Sequence, residues 1–342
     1  MNLKKLLTHS IARWLIGREP DAAPCPAGTQ VERVLVVGYD AIGDFILTLP
    51  AIARLREMYP AARLELVCSR RNQLLAASVA GIDECHVITL NDTLLPVSMW
   101  CKLRELRQRR YDLVINLFDE PDDIAMAKLL LLANGRLQSL PLRFKSEGQQ
   151  KLLPLFNQKA TIVSSRPSRD HFVYRMLSVT GEQTGVPVCI PSPCNEQLDT
   201  RAYGRYLLVN LTGSQVGNSM TEAQIDGILA QLPAYKGISY LVFSRQPVVC
   251  SRQDMRALFP DTILDAAKII KDARGVISTD TSIIHISSSF GVPTLVLMNN
   301  ERWRDAFIPL AGRNIVLRST TDQLAALSPA EISRQVDALM AL

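Results

Sequence analysis

Two short constellations, one in each half of the chain, hold side chains of the types and spacings that chemistry needs. The first is Gly38-Tyr39-Asp40-Ala41-Ile42-Gly43-Asp44, directly after the apolar run Val34 to Val37. That run reads as a buried parallel strand. The glycines mark a turn that bends sharply or lets a ligand approach, and Asp44 opens a helix. Such a strand–turn–helix unit sets Asp44 at the carboxyl edge of a parallel sheet, where open α/β folds bind ligands. A carboxylate there either accepts a proton from a substrate hydroxyl or merely caps the helix. The second constellation is Asp280-Thr281-Ser282-Ile283-Ile284-His285, after a strand from Gly275 to Ser278. Hydroxyl residues at a helix N-terminus suit a phosphate, the dipole adding roughly 0.3–1 kcal/mol. His285 lies one helical turn past Thr281 and can face the same site. The structural alternative makes Asp280 a cap and His285 a satisfied core histidine.

Other charged groups allow a functional and a plain reading. Ser69-Arg70-Arg71 ends a second strand, Leu64 to Cys68, and places two guanidinium groups near the first constellation. The acidic run Asp119-Glu120-Pro121-Asp122-Asp123 follows the strand Tyr111 to Phe118. It is either a metal site or the start of a helix, where carboxylates meet the positive end of the dipole. Trp100 to Arg110 is a basic helix, either a solvated face or a binding surface. Seven cysteines show no C-x-x-C spacing, which fits buried thiols in a reducing compartment. Cys189 and Cys194 are close enough to bridge or bind metal, but no His/Cys motif accompanies them.

The elements that must position these groups alternate. Strands are expected at 34–37, 64–68, 85–90, 111–118, 206–212, 238–243, 275–278 and 293–298. Helices are expected between them, including 254–259, 266–273 and 283–290. Pro50, in Thr-Leu-Pro-Ala, predicts a short first turn, a break and a second helix. Thr221-x-x-Gln and Ser328-Pro329-Ala330-Glu331 are helix starts with built-in caps. Pro187 to Pro193 reads as an interdomain connection. The chain of 342 residues is long enough for two domains, each with its own core. With 47% hydrophobic and 21% charged residues it has the composition of a soluble globular protein. No run of about 18 or more uninterrupted apolar residues is present, which argues against a spanning helix.

A formal charge of +5 suits an anionic substrate or lipid surface, and no RNA-binding signature accompanies it. Residues 1–18 place Leu3, Leu6, Leu7, Ile11, Trp14 and Leu15 on one helical stripe. Such a helix either lies on an anionic leaflet or docks on the protein's own surface. Gly38 and Gly43 lack the G-x-G-x-x-G spacing, so a nicotinamide-dependent oxidoreductase is a poor fit.

The stretch VLVVGYDAIGDFILTLPAIARLREMYPAARLELVCSRR resembles the start of glycosyltransferase family nine, the ADP-heptose:lipopolysaccharide heptosyltransferases, in its strand, Gly-Asp pair and Thr-Leu-Pro-Ala segment. GVISTDTSIIHISSSFGVPTLVLMN is similar to that family's donor-site signature. The resemblance implies an α/β protein with a GT-B fold, two Rossmann-like domains whose parallel sheets face across a cleft. Residues 1–30 would form the N-terminal helix and linker, 31–190 the acceptor domain and 191–325 the nucleotide-sugar domain. Residues 326–342 would form a helix packing back on the first domain. The implied activity is an inverting, metal-independent glycosyl transfer with no cofactor. A heptose or related sugar would move from a nucleotide diphosphate sugar, ADP-heptose first, to a lipopolysaccharide core or other bacterial surface glycan. Asp44 would be the general base. Thr281, Ser282 and His285 would surround the donor pyrophosphate with Asp280 orienting the loop, while Gly43, Arg70 and Arg71 would face an anionic acceptor. The expected location is cytoplasmic, with residues 1–18 as a peripheral contact on the inner membrane.

Departures from the family pattern bear on the donor. In the loop Thr212 to Asn218, which holds Ser214, Asn218 stands where the family carries a Lys. A neutral amide cannot offset diphosphate charge, so either Arg245, ending the next strand, supplies the cation or the donor differs. Ser282 replaces a common Gly, Asn299-Asn300-Glu301 replaces a Gly-Pro-Thr-like turn, and the loop after Phe118 lacks the family's Gln-Gly. These changes leave open a degenerate member that binds nucleotide or glycan without turnover.

Overall fold

A computed structural model of the chain describes every residue except 1–2, 24–30, 92–93, 95, 144–146, 164–170, 182–186, 214–218 and 245–251. The chain forms two compact units, Met1–Pro187 and Val188–Leu342, divided within the proline-rich connection near the expected boundary at 190.

The first unit contains strands β1 (Arg33–Val37), β2 (Arg63–Cys68), β3 (Glu84–Val87), β4 (Leu113–Asn116), β5 (Leu137–Ser139) and β6 (Thr161–Ile162). They form one sheet in the order β3-β2-β1-β4-β5-β6, every pairing parallel. Val34 to Val37 are fully buried because a parallel sheet is covered on both faces, which is why the strand reads as an unbroken apolar run. Helices α1 (Leu3–Arg18), α2 (Ile42–Met58), α3 (Gln73–Ala77), α4 (Val97–Gln108), α5 (Asp123–Ala133), α6 (Glu147–Gln150), α7 (Leu153–Lys159) and α8 (Phe172–Leu177) surround it.

Three expectations change here. First, α2 starts at Ile42 and runs unbroken through Pro50 to Met58. Proline removes one intrahelical hydrogen bond, but every residue from Phe45 to Ile52 is buried, so packing on both sides keeps the axis together. Second, of the two readings of residues 1–18, the inner face of α1 takes the docked one. Thr8, Ala12, Leu15 and Ile16 are buried, with α5 as the main neighbour, and His9 and Arg13 (3.2 Å) reach Asp123. The expected apolar stripe is therefore split, because Leu15 points inward while Leu7 and Trp14 stay more than half exposed. Third, the basic helix α4 is partly committed to the fold: Arg107 pairs with Glu19 at 2.8 Å, and Arg109 binds Glu65 and Glu84.

The second unit repeats the architecture. Strands β7 (Tyr206–Asn210), β8 (Ser239–Phe243), β9 (Met255–Leu258), β10 (Gly275–Thr279), β11 (Thr294–Met298) and β12 (Asn314–Arg318) pair in parallel in the order β12-β11-β10-β7-β8-β9. Helices α9 (Glu222–Gln231), α10 (Ile263–Lys271), α11 (Ser282–Ser289) and α12 (Pro329–Ala341) accompany them. Thr221 and Ser328 cap α9 and α12 as their motifs require. The segment 254–259 is not a helix. Its core is edge strand β9, where backbone pairing with β8 overrides the helical propensity of Met-Arg-Ala-Leu.

The final helix packs within the second unit. Ile332, Val336 and Leu339 form an apolar stripe that is buried in the second unit's own core beside α9 and the sheet. Gly275 makes this possible, since a Cβ there would come within 3.2 Å of the Leu339 side chain. Among the described residues, no helix is long and apolar enough to cross a membrane.

The amino ends of β1, β2 and β3 hold a network that the sequence does not announce. Glu65 is fully buried and accepts hydrogen bonds from Arg33 (3.0 Å), Arg63 (3.0 Å), His86 (2.7 Å), Arg109 (2.9 Å) and Tyr111 (2.7 Å). Glu65, Glu84 and His86 have the spacing of a metal site, but three guanidinium groups already neutralise the carboxylates. Burial pushes the Glu65 carboxyl up, yet the bonds from Tyr111, His86 and Arg33 outweigh it and hold the group at about 2. Glu84 is likewise held at about 2 by Arg109 and Arg63.

A carboxyl depressed in the folded state contributes stability that is present above its ordinary pKa and is lost as pH falls through the folded value. The denaturant resistance of the first unit is therefore expected to fall progressively from about pH 4.5 towards pH 2. Glu65→Ala should cost about 3 kcal/mol at pH 7, because several partners lose a buried anion, and should flatten that acid limb.

Candidate active site

Both sheets have the strand order of a doubly wound fold, with reversals between β1 and β4 and between β7 and β10. Loops leaving neighbouring strands diverge at such points, and ligands bind beyond the carboxyl ends.

At the first reversal, β1 ends in Gly38 and the turn to α2. Ala41 occupies the N-cap position without a side-chain bond, and Asp44 is the third residue of the helix. It sits half-buried in the first turn, where the helix dipole favours an anion. Tyr39 is buried between Phe118 and Phe172, with ring centroids 5.1 and 5.2 Å away, and its hydroxyl donates to Asp119. Burial, then the charge of Asp44, pushes the Tyr39 phenol far up, so it remains an O–H donor. Asn72 donates to the Tyr39 carbonyl at 2.6 Å and Ser69 to the Asp40 carbonyl at 3.0 Å. These bonds staple the turn after β2 to the turn after β1. Arg70 and Arg71, exposed between Ser69 and Asn72, are thereby brought to the same edge as Gly43 and Asp44.

The acidic run 119–123 divides into separate roles. Asp122 is the N-cap of α5, accepting from the Ala125 amide at 2.8 Å. Asp123 is the anchor for α1. Asp119 is fully buried and pairs with Arg143 at 3.0 Å and with the buried Arg175. Sequence reading missed Asp119 as a distinct group. Its one signal was its place just after an apolar strand, since Arg143 and Arg175 lie far along the chain.

At the second reversal the ties are mostly neutral. Asn210, at the end of β7, donates to Ser278 (3.1 Å) and to Thr281 (3.2 Å). Thr281 is the N-cap of α11, its hydroxyl accepting from the Ile283 amide at 3.4 Å. Ser282 is the first helical residue, and His285 is buried one turn further on. Asp280 is ion-paired with Arg304, which also binds Glu301 at 2.8 Å. Asn299 donates to the same Glu301 carboxylate at 3.0 Å. The Asn-Asn-Glu turn thus serves as a clamp on the Asp280 loop, and Arg304 is a second residue that sequence reading missed. Ser214, Asn218 and Arg245 lie outside the described residues. Cys189 and Cys194 point to separate partners, the Ser288 carbonyl at 3.1 Å and Glu196 at 3.3 Å, and so do not form a shared site.

Removing Asp119 leaves the buried Arg175 without its counter-charge and Tyr39 without its acceptor. Asp119→Ala should destabilise the first unit by about 3–5 kcal/mol. Tyr39→Phe, which keeps the aromatic packing, should cost only about 1–2 kcal/mol. Denaturant titrations of both variants give the comparison.

No family model matches the chain. Among curated proteins it is 23% identical over 346 residues to a candidate glycosyltransferase of Haemophilus influenzae, covering 87% of this chain and 96% of that protein. Among solved structures it is similar to E. coli ADP-heptose lps heptosyltransferase II, with a TM-score of 0.70 at 14% identity over 90% of this chain and 98% of that one. E. coli heptosyltransferase WaaC with ADP gives 0.70 at 16% identity over 90% and 99%. A family 9 glycosyl transferase from Veillonella parvula gives 0.70 at 17% identity over 92% and 99%. The similarity runs through both units, and with two parallel six-stranded sheets the chain has the two-domain α/β GT-B fold of these heptosyltransferases.

Proposed function

We propose that the protein is an inverting, metal-independent glycosyltransferase. It moves a heptose or related sugar from a nucleotide diphosphate sugar, ADP-heptose first, to a lipopolysaccharide core or similar bacterial surface glycan. The observation that supports this most directly is Asp44, a half-buried carboxylate in the first turn of α2, directly after the carboxyl end of β1 at the sheet's strand-order reversal. In this reading an acceptor hydroxyl gives its proton to Asp44 as its oxygen attacks the anomeric carbon from the face opposite the diphosphate. The bond to the diphosphate breaks and the configuration inverts. General-base help of this kind is worth roughly 10²–10⁴-fold.

The departing diphosphate takes its hydrogen bonds from the N-terminus of α11, with Thr281, Ser282 and His285 around it, and the family resemblance assigns Ser214 and Asn218 to the same donor. The guanidinium of Arg304 is already matched by Asp280 and Glu301. Arg245 therefore remains our choice for the cation that replaces the family's Lys. Gly43 leaves room for the acceptor, and Arg70 and Arg71 offer it positive charge.

Heat-shift measurements with nucleotide sugars test the donor: ADP-linked sugars should stabilise the protein, and stabilisation by NAD alone would reverse the reading. Asp44→Asn should bind donor normally and lose roughly 10²–10⁴-fold in turnover. Arg245→Ala should weaken donor binding at least tenfold, about 1.4 kcal/mol. Donor binding by wild type with no turnover on any core acceptor would favour the degenerate binder.

The exposed face of α1 carries Leu7, Trp14 and Arg18, the guanidinium lying 4.7 Å from the indole centroid. We assign this face to the anionic inner leaflet on the cytoplasmic side, where the acceptor is anchored. Because α1 also packs on α5, the test is Leu7→Ser with Trp14→Ser, which spares the inward face. The double variant should lose most sedimentation with anionic vesicles, and undiminished binding would remove the membrane contact.

A further inference from the structure

The segment after β11, Arg302–Phe307, is a 3-10 stretch that holds Trp303 at the surface beside the half-buried Phe307. Trp303 is 58% exposed and meets Phe307 edge-on, with centroids 6.0 Å apart and ring planes at 85°. A tryptophan so exposed contributes little to the core and leaves an amphipathic ring open to a partner. It is nevertheless held firmly. The Arg304 guanidinium lies 4.5 Å from the indole centroid, and the same side chain is locked by Asp280 and Glu301. Through Arg304 the indole is tied to the turn between β10 and α11, at the carboxyl edge of the second sheet.

Arg302, next to Trp303 in the chain, is exposed, as is Asn300, whose amide donates to the Thr320 carbonyl at 3.2 Å. An aromatic plane with hydrogen-bonding side chains at its rim suits a sugar: the ring's C–H face stacks on the indole while its hydroxyls meet the polar rim. A nucleobase is served better by a slot between two parallel faces, and the edge-on Phe307 leaves a platform and no slot.

We propose that Trp303 is a stacking platform for a pyranose ring, with the adjacent exposed Arg302 offering hydrogen bonds to its hydroxyls. The inference rests on the glycosyltransferase reading. The ring belongs to the nucleotide sugar or to the acceptor glycan, two sources of one chemistry. In either case Trp303 selects for the sugar and leaves the nucleotide's own affinity untouched.

The chain has three tryptophans, so Trp14→Phe with Trp100→Phe leaves Trp303 as the single indole. Its emission is followed during titration with ADP, with ADP-mannose and with a delipidated lipopolysaccharide core oligosaccharide. A shift with ADP-mannose beyond that with ADP assigns the platform to the donor sugar, and a shift with the oligosaccharide alone assigns it to the acceptor. Trp303→Ala in the otherwise native chain should weaken that ligand about 5- to 10-fold. It should leave ADP affinity by calorimetry unchanged, and Trp303→Phe should restore most of the loss. If ADP binds but Trp303 stays silent with both sugar probes and Trp303→Ala changes neither affinity, the platform is wrong while the enzyme reading stands. Absence of ADP binding in every form would overturn the enzyme reading and the platform with it.

Discussion

Where strand order reverses in a parallel sheet, the two connections leave in opposite directions and no helix fills the gap between them. Each domain of this protein has to close that gap with side chains, and both do so at the sheet's carboxyl edge. The first uses charge: Asp119 after β4 draws in Tyr39 after β1, with Arg143 and Arg175 balancing it. The second uses an amide and hydroxyls, Asn210 to Ser278 and Thr281, with the Asp280–Arg304 pair set to one side. Satisfied polar ties of this kind hold a loop in one geometry, which a crevice that positions reacting groups needs.

Charge in the first domain is divided between the two ends of its sheet. At the amino ends, Glu65 and Glu84 are neutralised by Arg33, Arg63 and Arg109 and stay ionised well into acid. At the carboxyl ends, Asp119 is buried with Arg175 and Arg143, while Asp44, Arg70 and Arg71 are at least partly open to solvent. The same residue types therefore serve stability in one set and remain accessible to a ligand in the other. Burial and partner count separate the two sets, and neither quantity can be read from a residue's identity.

Much of the framework was legible locally. The apolar runs that became β1, β4, β7, β10 and β11 announce parallel strands because both faces are covered. Ser328-Pro329-Ala330-Glu331 and Thr221-x-x-Gln begin helices where their capping chemistry demands. Segment 255–258 failed as a helix because its conformation is decided by the neighbouring strand β8. Pro50 failed as a helix breaker because the packing around it outweighs one lost hydrogen bond.

For the site, the sequence by itself determined the order of strand, turn and carboxylate around Asp44, and of strand, hydroxyls and histidine around Thr281. These patterns are local, and the backbone geometry they impose spans only a few residues. Only the tertiary structure decided that Asp119 lies under Tyr39, that Arg304 clamps Asp280, and that α12 packs on its own domain's sheet. Those contacts join residues far apart in sequence, so their energies depend on the packed sheet and have no local signature.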